Sequence, residues 1–161
     1  MGNQILTDIK RDNATAEDWL INYPERRMKY LEDFEIRFDK KTYCEVPTRS
    51  GPGRPTEVML PRLDRLMETE KWLVTIEKVQ DTIGPKKKAF LYLRREAKHM
   101  DHWRPYVREQ YAILMADRLN GAPHNFMLGL DTISDWWHEI IELTVRLALM
   151  RGCNFRRRKE S

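Results

Sequence analysis

The sequence predicts an all-α protein, a helical bundle with a long central helix and a C-terminal helix-turn-helix unit whose turn is remodelled. Apolar residues recur at spacings of three and four along most of the chain, and no run alternates for long enough to build a sheet. Glycine and proline gather at a few places, where they interrupt the helical pattern. At 161 residues the chain has the size of one domain, and its 5 Trp, 6 Tyr, 5 Phe and 8 Met supply bulky core side chains. Charged residues make up 34%, so the helices need wet faces as well as dry ones.

Residues 1–13 are polar and carry no capping signal, which predicts a flexible N-terminal arm. Residues 14–84 form an N-terminal helical region interrupted by a Gly/Pro-rich loop at 41–60. Within it, Thr15 opens a short helix with Glu17 and Asp18 in its first turn, ending near Asn22-Tyr23-Pro24. Proline is favoured at a first helical position, so Pro24 restarts a helix to about Lys40, with Met28, Leu31, Phe34 and Phe38 on one stripe. Arg49-Ser50-Gly51-Pro52-Gly53-Arg54-Pro55-Thr56 breaks the pattern as a connector. Pro61 to Ile83 is the longest run, with Leu63, Leu66, Leu73, Ile76, Val79 and Ile83 near helical spacing, and Gly84-Pro85 stops it.

Residues 85–152 form the C-terminal, helix-turn-helix-like region, and 153–161 a basic tail. Its first helix starts at Lys86-Lys87-Lys88 and buries Phe90, Leu91 or Leu93 before Arg94-Arg95. A second runs from Trp103 to Leu119, ended by Asn120-Gly121. The last has Ser134 placed to cap a first-turn N–H, Asp135 in the favourable field of the helix start and Gly152 as a left-handed stop. Adjacent tryptophans on a helix point about 100° apart, so Trp136 and Trp137 cannot both centre one core stripe. Trp137 is in phase with Ile133, Ile140, Thr144 and Leu147 and belongs to the core, which leaves Trp136 for contact with a partner.

Charge is uneven along the chain. Residues 1–84 hold 14 Lys and Arg against 16 Asp and Glu, whereas residues 85–161 hold 15 against 9. A positive C-terminal half fits a polyanion, and double-stranded DNA is the expected partner. Lys86, Lys87 and Lys88 oppose the dipole at a helix start, where a phosphate would offset the cost. Arg94, Arg95 and Lys98 continue that region, and Arg156, Arg157, Arg158 and Lys159 are the densest cluster. Such side chains give affinity without sequence information.

His99 and His102 have the spacing of two ligands on one helical face, but no paired Cys-x-x-Cys accompanies them, and no metal is expected. No nucleophile elbow, phosphate loop, His-Glu-x-x-His or dinucleotide fingerprint occurs, so neither an enzyme nor a cofactor is expected. Cys44 and Cys153 stand far apart without a disulfide framework, and no apolar run approaches the roughly 18 residues of a membrane span. A reduced, cytoplasmic setting and no membrane follow as expectations.

The order of elements resembles the phage transcriptional regulators of the RinA and ArpU type, which carry a sigma-factor-like helix-turn-helix. The resemblance rests on Asn22-Tyr23-Pro24, on Gly51-Pro52-Gly53-Arg54-Pro55-Thr56 and on the run from Glu68 through Trp72, Ile76 and Val79. It continues in Phe90-Leu91-Tyr92-Leu93-Arg94-Arg95 and in Ile133-Ser134-Asp135 with His138, Ile140 and Ile141, covering about residues 19–152. It implies a late-gene regulator in the cytoplasm of a bacterial host, touching promoter DNA and host RNA polymerase, with Ser134 and His138 among the DNA-facing positions. Two departures are physical: the segment from Asn120 to Asp131 is far longer than the usual turn, and Trp136, Trp137 and Glu139 replace base-reading side chains. Two other readings compete. A small terminase subunit would use the long helix for a homo-oligomeric ring, and a helical adaptor would bind protein without DNA affinity.

Overall fold

The computed structural model describes residues 2–43 and 54–155, with side chains described for 4–35 and 64–155. Residues 44–53, Cys44 among them, the side chain of Phe38, and Arg156, Arg157, Arg158 and Lys159 lie outside the described residues. The fold is all-α. Helix α1 spans Gly2–Tyr43, α2 Arg54–Glu96, α3 Trp103–Leu119 and α4 Leu130–Arg151, with a short 3-10 turn at Pro123–Phe126; no strand occurs among the described residues.

Helix α1 corrects two expectations. The arm is helical from Gly2, although Ile5, Leu6 and Ile9 are exposed. Its helicity is propagation from a packed turn, because adding a residue to an existing helix avoids the cost of nucleation. The packed turn is that of Ala16, Leu20 and Tyr23, all buried. The second correction is Pro24, which sits inside α1 instead of starting a new helix. Proline has no N–H for the carbonyl four residues back, and an orphaned carbonyl normally bends or ends a helix. Here the Leu20 carbonyl instead accepts a hydrogen bond of 2.8 Å from Nε of Arg95. A side chain from α2 thus replaces the missing backbone donor.

Helix α2 begins at Arg54 and not at Pro61, so regular structure enters the connector expected at 41–60 from both sides. Its interior break falls where the sequence places it. Gly84 has φ 83° and ψ 169°, a conformation open essentially to glycine alone. An added Cβ there would meet nothing within 4 Å, so Gly84→Ala is penalised by backbone strain without steric clash. The expected loss is about 1–3 kcal/mol, read as the shift of a denaturation midpoint at unchanged m-value. A midpoint equal to that of the parent chain would mean that the bend tolerates ordinary residues.

Helix α3 ends as expected. Asn120 is left-handed at φ 52° and ψ 43°, and Gly121 donates its N–H to the Ala116 carbonyl at 3.0 Å. The connection to α4 holds a short 3-10 turn at Pro123–Phe126. Phe126 folds against Gly121, where a Cβ would come within 2.7 Å of its ring. Helix α4 starts at Leu130 behind Gly129, so Ser134 lies a full turn inside it and is not the cap. Gly152 closes α4 in the left-handed region at φ 78°, with the Cys153 N–H reaching the Ala148 carbonyl at 2.9 Å.

The main core joins Leu20 of α1 to Ile76, Val79, Phe90 and Leu91 of α2, Val107 of α3 and Ile133 and Ile140 of α4. A second cluster of Trp72, Ala148, Cys153 and Phe155 seals the end where α4 stops. Trp19 stacks on Trp72 at 5.3 Å, and Phe155 meets Trp72 edge-on at 5.1 Å. The region expected as a basic tail from 153 therefore begins with docked residues, Cys153 and Phe155 being buried.

Candidate functional site

The cationic residues expected to face DNA divide sharply. Arg94 is only 5% exposed, with its guanidinium carbon 4.3 Å from the Trp103 ring centroid and 5.1 Å from that of Trp137. Its Nη2 lies 3.6 Å from Oε1 of Glu17, while its Nε and Nη1 have no hydrogen-bond partner. Burial pushes the Arg94 pKa down, the nearby Glu17 carboxylate opposes that shift, and Arg104 adds to it. Arg104 covers Trp103 at 4.6 Å and donates from Nε to Oγ of Ser134 at 2.9 Å. This site is an aromatic cage that holds an arginine of its own chain.

Arg95 is engaged as well. It holds the Leu20 carbonyl, lies 5.1 Å from the Tyr23 ring and has its pKa lowered by burial to about 10. The Tyr23 hydroxyl donates to Oε1 of Glu77 at 3.1 Å, and burial followed by that carboxylate raises its pKa to about 12. Lys87 pairs with Glu139 at 2.6 Å and Lys98 with Glu25 at 2.6 Å. Arg94 and Arg95 are thus corrected from DNA contacts to internal ones, and Lys87, Lys98 and Ser134 are committed to partners within the fold. Lys86, Lys88 and His138 remain exposed.

Trp136 lies at the edge of the bundle. It is half-buried, edge-on to Phe90 at 5.9 Å and to Tyr111 at 5.7 Å, and belongs to the margin of the core. Trp137, at 3% exposure, occupies the core position expected of it. The two rings point apart as the helix requires, but α3 as well as α2 has room for an aromatic neighbour, so both are packed.

Helix α4 packs against α1, α2 and α3, burying Ile133, Trp137, Ile140, Ile141, Thr144 and Ala148. Its outer face carries Asp131, Asp135, Glu139 and Glu142, all exposed, with His138 and Arg146 beside them. Spacings of four, four and three place the carboxylates on one side of the helix. That acidic face is legible in the sequence from the same spacing. A carboxylate surface repels phosphates and suits a cationic partner.

His99 is exposed and lines a shallow groove with Ala14, Glu17, Asp18, Ile21, Asn22 and Lys98. No group of three or more metal-ligating side chains that could hold an ion occurs among the described residues. No helix of the described residues is long and apolar enough to cross a membrane. Comparison with protein-family models, with curated proteins and with solved structures finds no match to this chain. Cys153 is buried with its Sγ 3.4 Å from Oγ1 of Thr75, and burial raises its pKa, which keeps it a thiol. Packing explains this cysteine fully.

Proposed function

We propose that the chain is a regulator of adaptor type, acting through protein contacts and holding DNA only by its phosphate backbone. The outer face of α4 carries this reading. A helix that reads bases in the major groove presents Arg, Lys, Asn or Gln donors on its exposed first turns. Helix α4 presents Asp131 and Asp135 there, with Glu139 and Glu142 further along the same side, and packs Trp136 and Trp137 against the bundle. Late-gene transcription, with host RNA polymerase as the protein partner, is the setting that the resemblance to the RinA and ArpU regulators supports. A small terminase subunit is the second reading, favoured by the exposed apolar residues along α1, which suit assembly of copies.

The test is fluorescence anisotropy of phage promoter-region duplexes across a salt series, with and without purified RNA polymerase. The chain alone is expected to bind weakly and without sequence preference. Lys86→Glu with Lys88→Glu should remove about two phosphate contacts and flatten the slope of log K against log salt by roughly 2. Neutralising Arg156, Arg157, Arg158 and Lys159 together should lower affinity for all sequences alike. Asp135→Lys with Glu142→Lys should weaken the polymerase complex while leaving DNA binding intact or stronger. Tight, sequence-selective binding by the chain alone would overturn the proposal and restore a base-reading role.

A further inference from the structure

Arg156, Arg157, Arg158 and Lys159 follow directly on Phe155 in the sequence. The root of that cationic segment is fixed. Phe155 is buried with Trp72 and Ala148, Val145 of α4 packs against the same cluster, and the Phe155 carbonyl accepts a hydrogen bond from Oγ1 of Thr15 at 3.3 Å. The residues after Phe155 therefore start at the level of Val145 on α4.

From Val145 one stripe of α4 leads back toward the helix start. At about 100° per residue, Glu142, His138, Asp135 and Asp131 lie roughly 60°, 20°, 80° and 40° round from Val145, all to the same side. All four are exposed. Asp131, Asp135 and Glu142 make no hydrogen bond or ion pair among the described residues, whereas Glu139, further round, is paired with Lys87. Acids nearer the root are engaged: Glu68 accepts the Asn154 N–H and pairs with Lys71, Asp8 lies 4.0 Å from Arg11, and Asp12 interacts within the chain. Arg146 borders the stripe about 100° round from Val145, and the four cations of the tail outweigh it. Reach is sufficient, since Asp135 stands about 15 Å along the axis from Val145 and six extended residues span about 20 Å.

We propose that residues 156–161 fold back along this stripe and cover the acidic face of α4. Opposite charges within one chain meet at high effective concentration, so the contact needs no second molecule. Its consequence rests on the function proposed above. Tail and face hide each other: DNA phosphates compete with the face for the tail, and a cationic protein competes with the tail for the face. Binding of either one frees the site of the other, which couples the two events positively.

A nitroxide on Ser161→Cys in a Cys44→Ser background, where Cys153 is buried away from the label, tests the contact by its broadening of backbone amide signals of the full chain. Broadening is expected to be stronger along Asp135, His138 and Glu142 than at Asp8 or at Ile113 on α3. It should be lost at high salt, and lost when Asp135→Asn is combined with Glu142→Gln. Broadening that is strongest at Asp8, uniform, or indifferent to that pair of substitutions would overturn the contact. The same pair should tighten binding of a DNA duplex about 3–10-fold at low salt, as a tail that is docked roughly 70–90% of the time requires. With Arg156, Arg157, Arg158 and Lys159 replaced by Gln the gain should vanish. An equal gain without the cations would mean that α4 merely repels DNA and would overturn the competition. Loss of DNA binding in every variant would count against the proposed function, while the nitroxide decides the contact without DNA.

Discussion

Arg94→Ala is expected to lower stability by about 3–5 kcal/mol, in the range for truncating a large buried side chain. For a chain of this size that is a fall in Tm of roughly 6–20 °C. The Arg94 guanidinium lies over Trp103 and Trp137 at 4.3 and 5.1 Å with Glu17 at its edge, so deletion removes cation–π attraction and opens a void between α2, α3 and α4. Arg94→Met separates these contributions, because it keeps most of the volume and discards the charge. If packing dominates, methionine recovers most of the loss; if the cation dominates, it recovers little. Lys88→Ala, at an exposed site on the same helix, should change stability by no more than about 0.5 kcal/mol. Thermal unfolding of the three variants side by side is the measurement. Arg94→Ala with a Tm equal to that of Lys88→Ala would show that the aromatic cage does not depend on its cation.

The contrast between Arg94 and Lys88 also shows where the sequence was legible. The core face of α2 was, since Leu73, Ile76 and Val79 stand at helical spacing and are buried. The ends of α3 and α4 were too, because Asn120 and Gly152 carry a local backbone requirement that few other residues satisfy. The direction of each cation was not. Arg94 and Lys88 look alike in a charge count, and only the tertiary arrangement of Trp103 and Trp137 decides that one is buried. Pro24 failed for the same reason: its local rule is sound, but Arg95 supplies from a distance the donor it lacks. The exposed end of α1 was hidden in the opposite sense, because helix propagation leaves little pattern when no core lies underneath.

Trp72→Ala tests the other end of the bundle and is expected to cost about 3–5 kcal/mol, the usual range for truncating a large core aromatic. Trp72 is 1% exposed, stacks on Trp19, meets Phe155 edge-on and donates from Nε1 to the Asn154 carbonyl at 3.4 Å. It is the shared surface between α1 and the segment after Gly152, which Thr15 also holds through a hydrogen bond of 3.3 Å to the Phe155 carbonyl. Loss of the indole should therefore release Phe155 and Cys153 before the main core unfolds. In the parent chain, burial raises the Cys153 pKa and shields its Sγ, so labelling by a thiol reagent at neutral pH should be slow. In Trp72→Ala it should speed up well beyond the change in global stability, in a Cys44→Ser background that leaves one reporting thiol. If labelling instead follows global unfolding alone, the C-terminal segment is held by the whole bundle, and the cluster around Trp72 is not a separately opening unit.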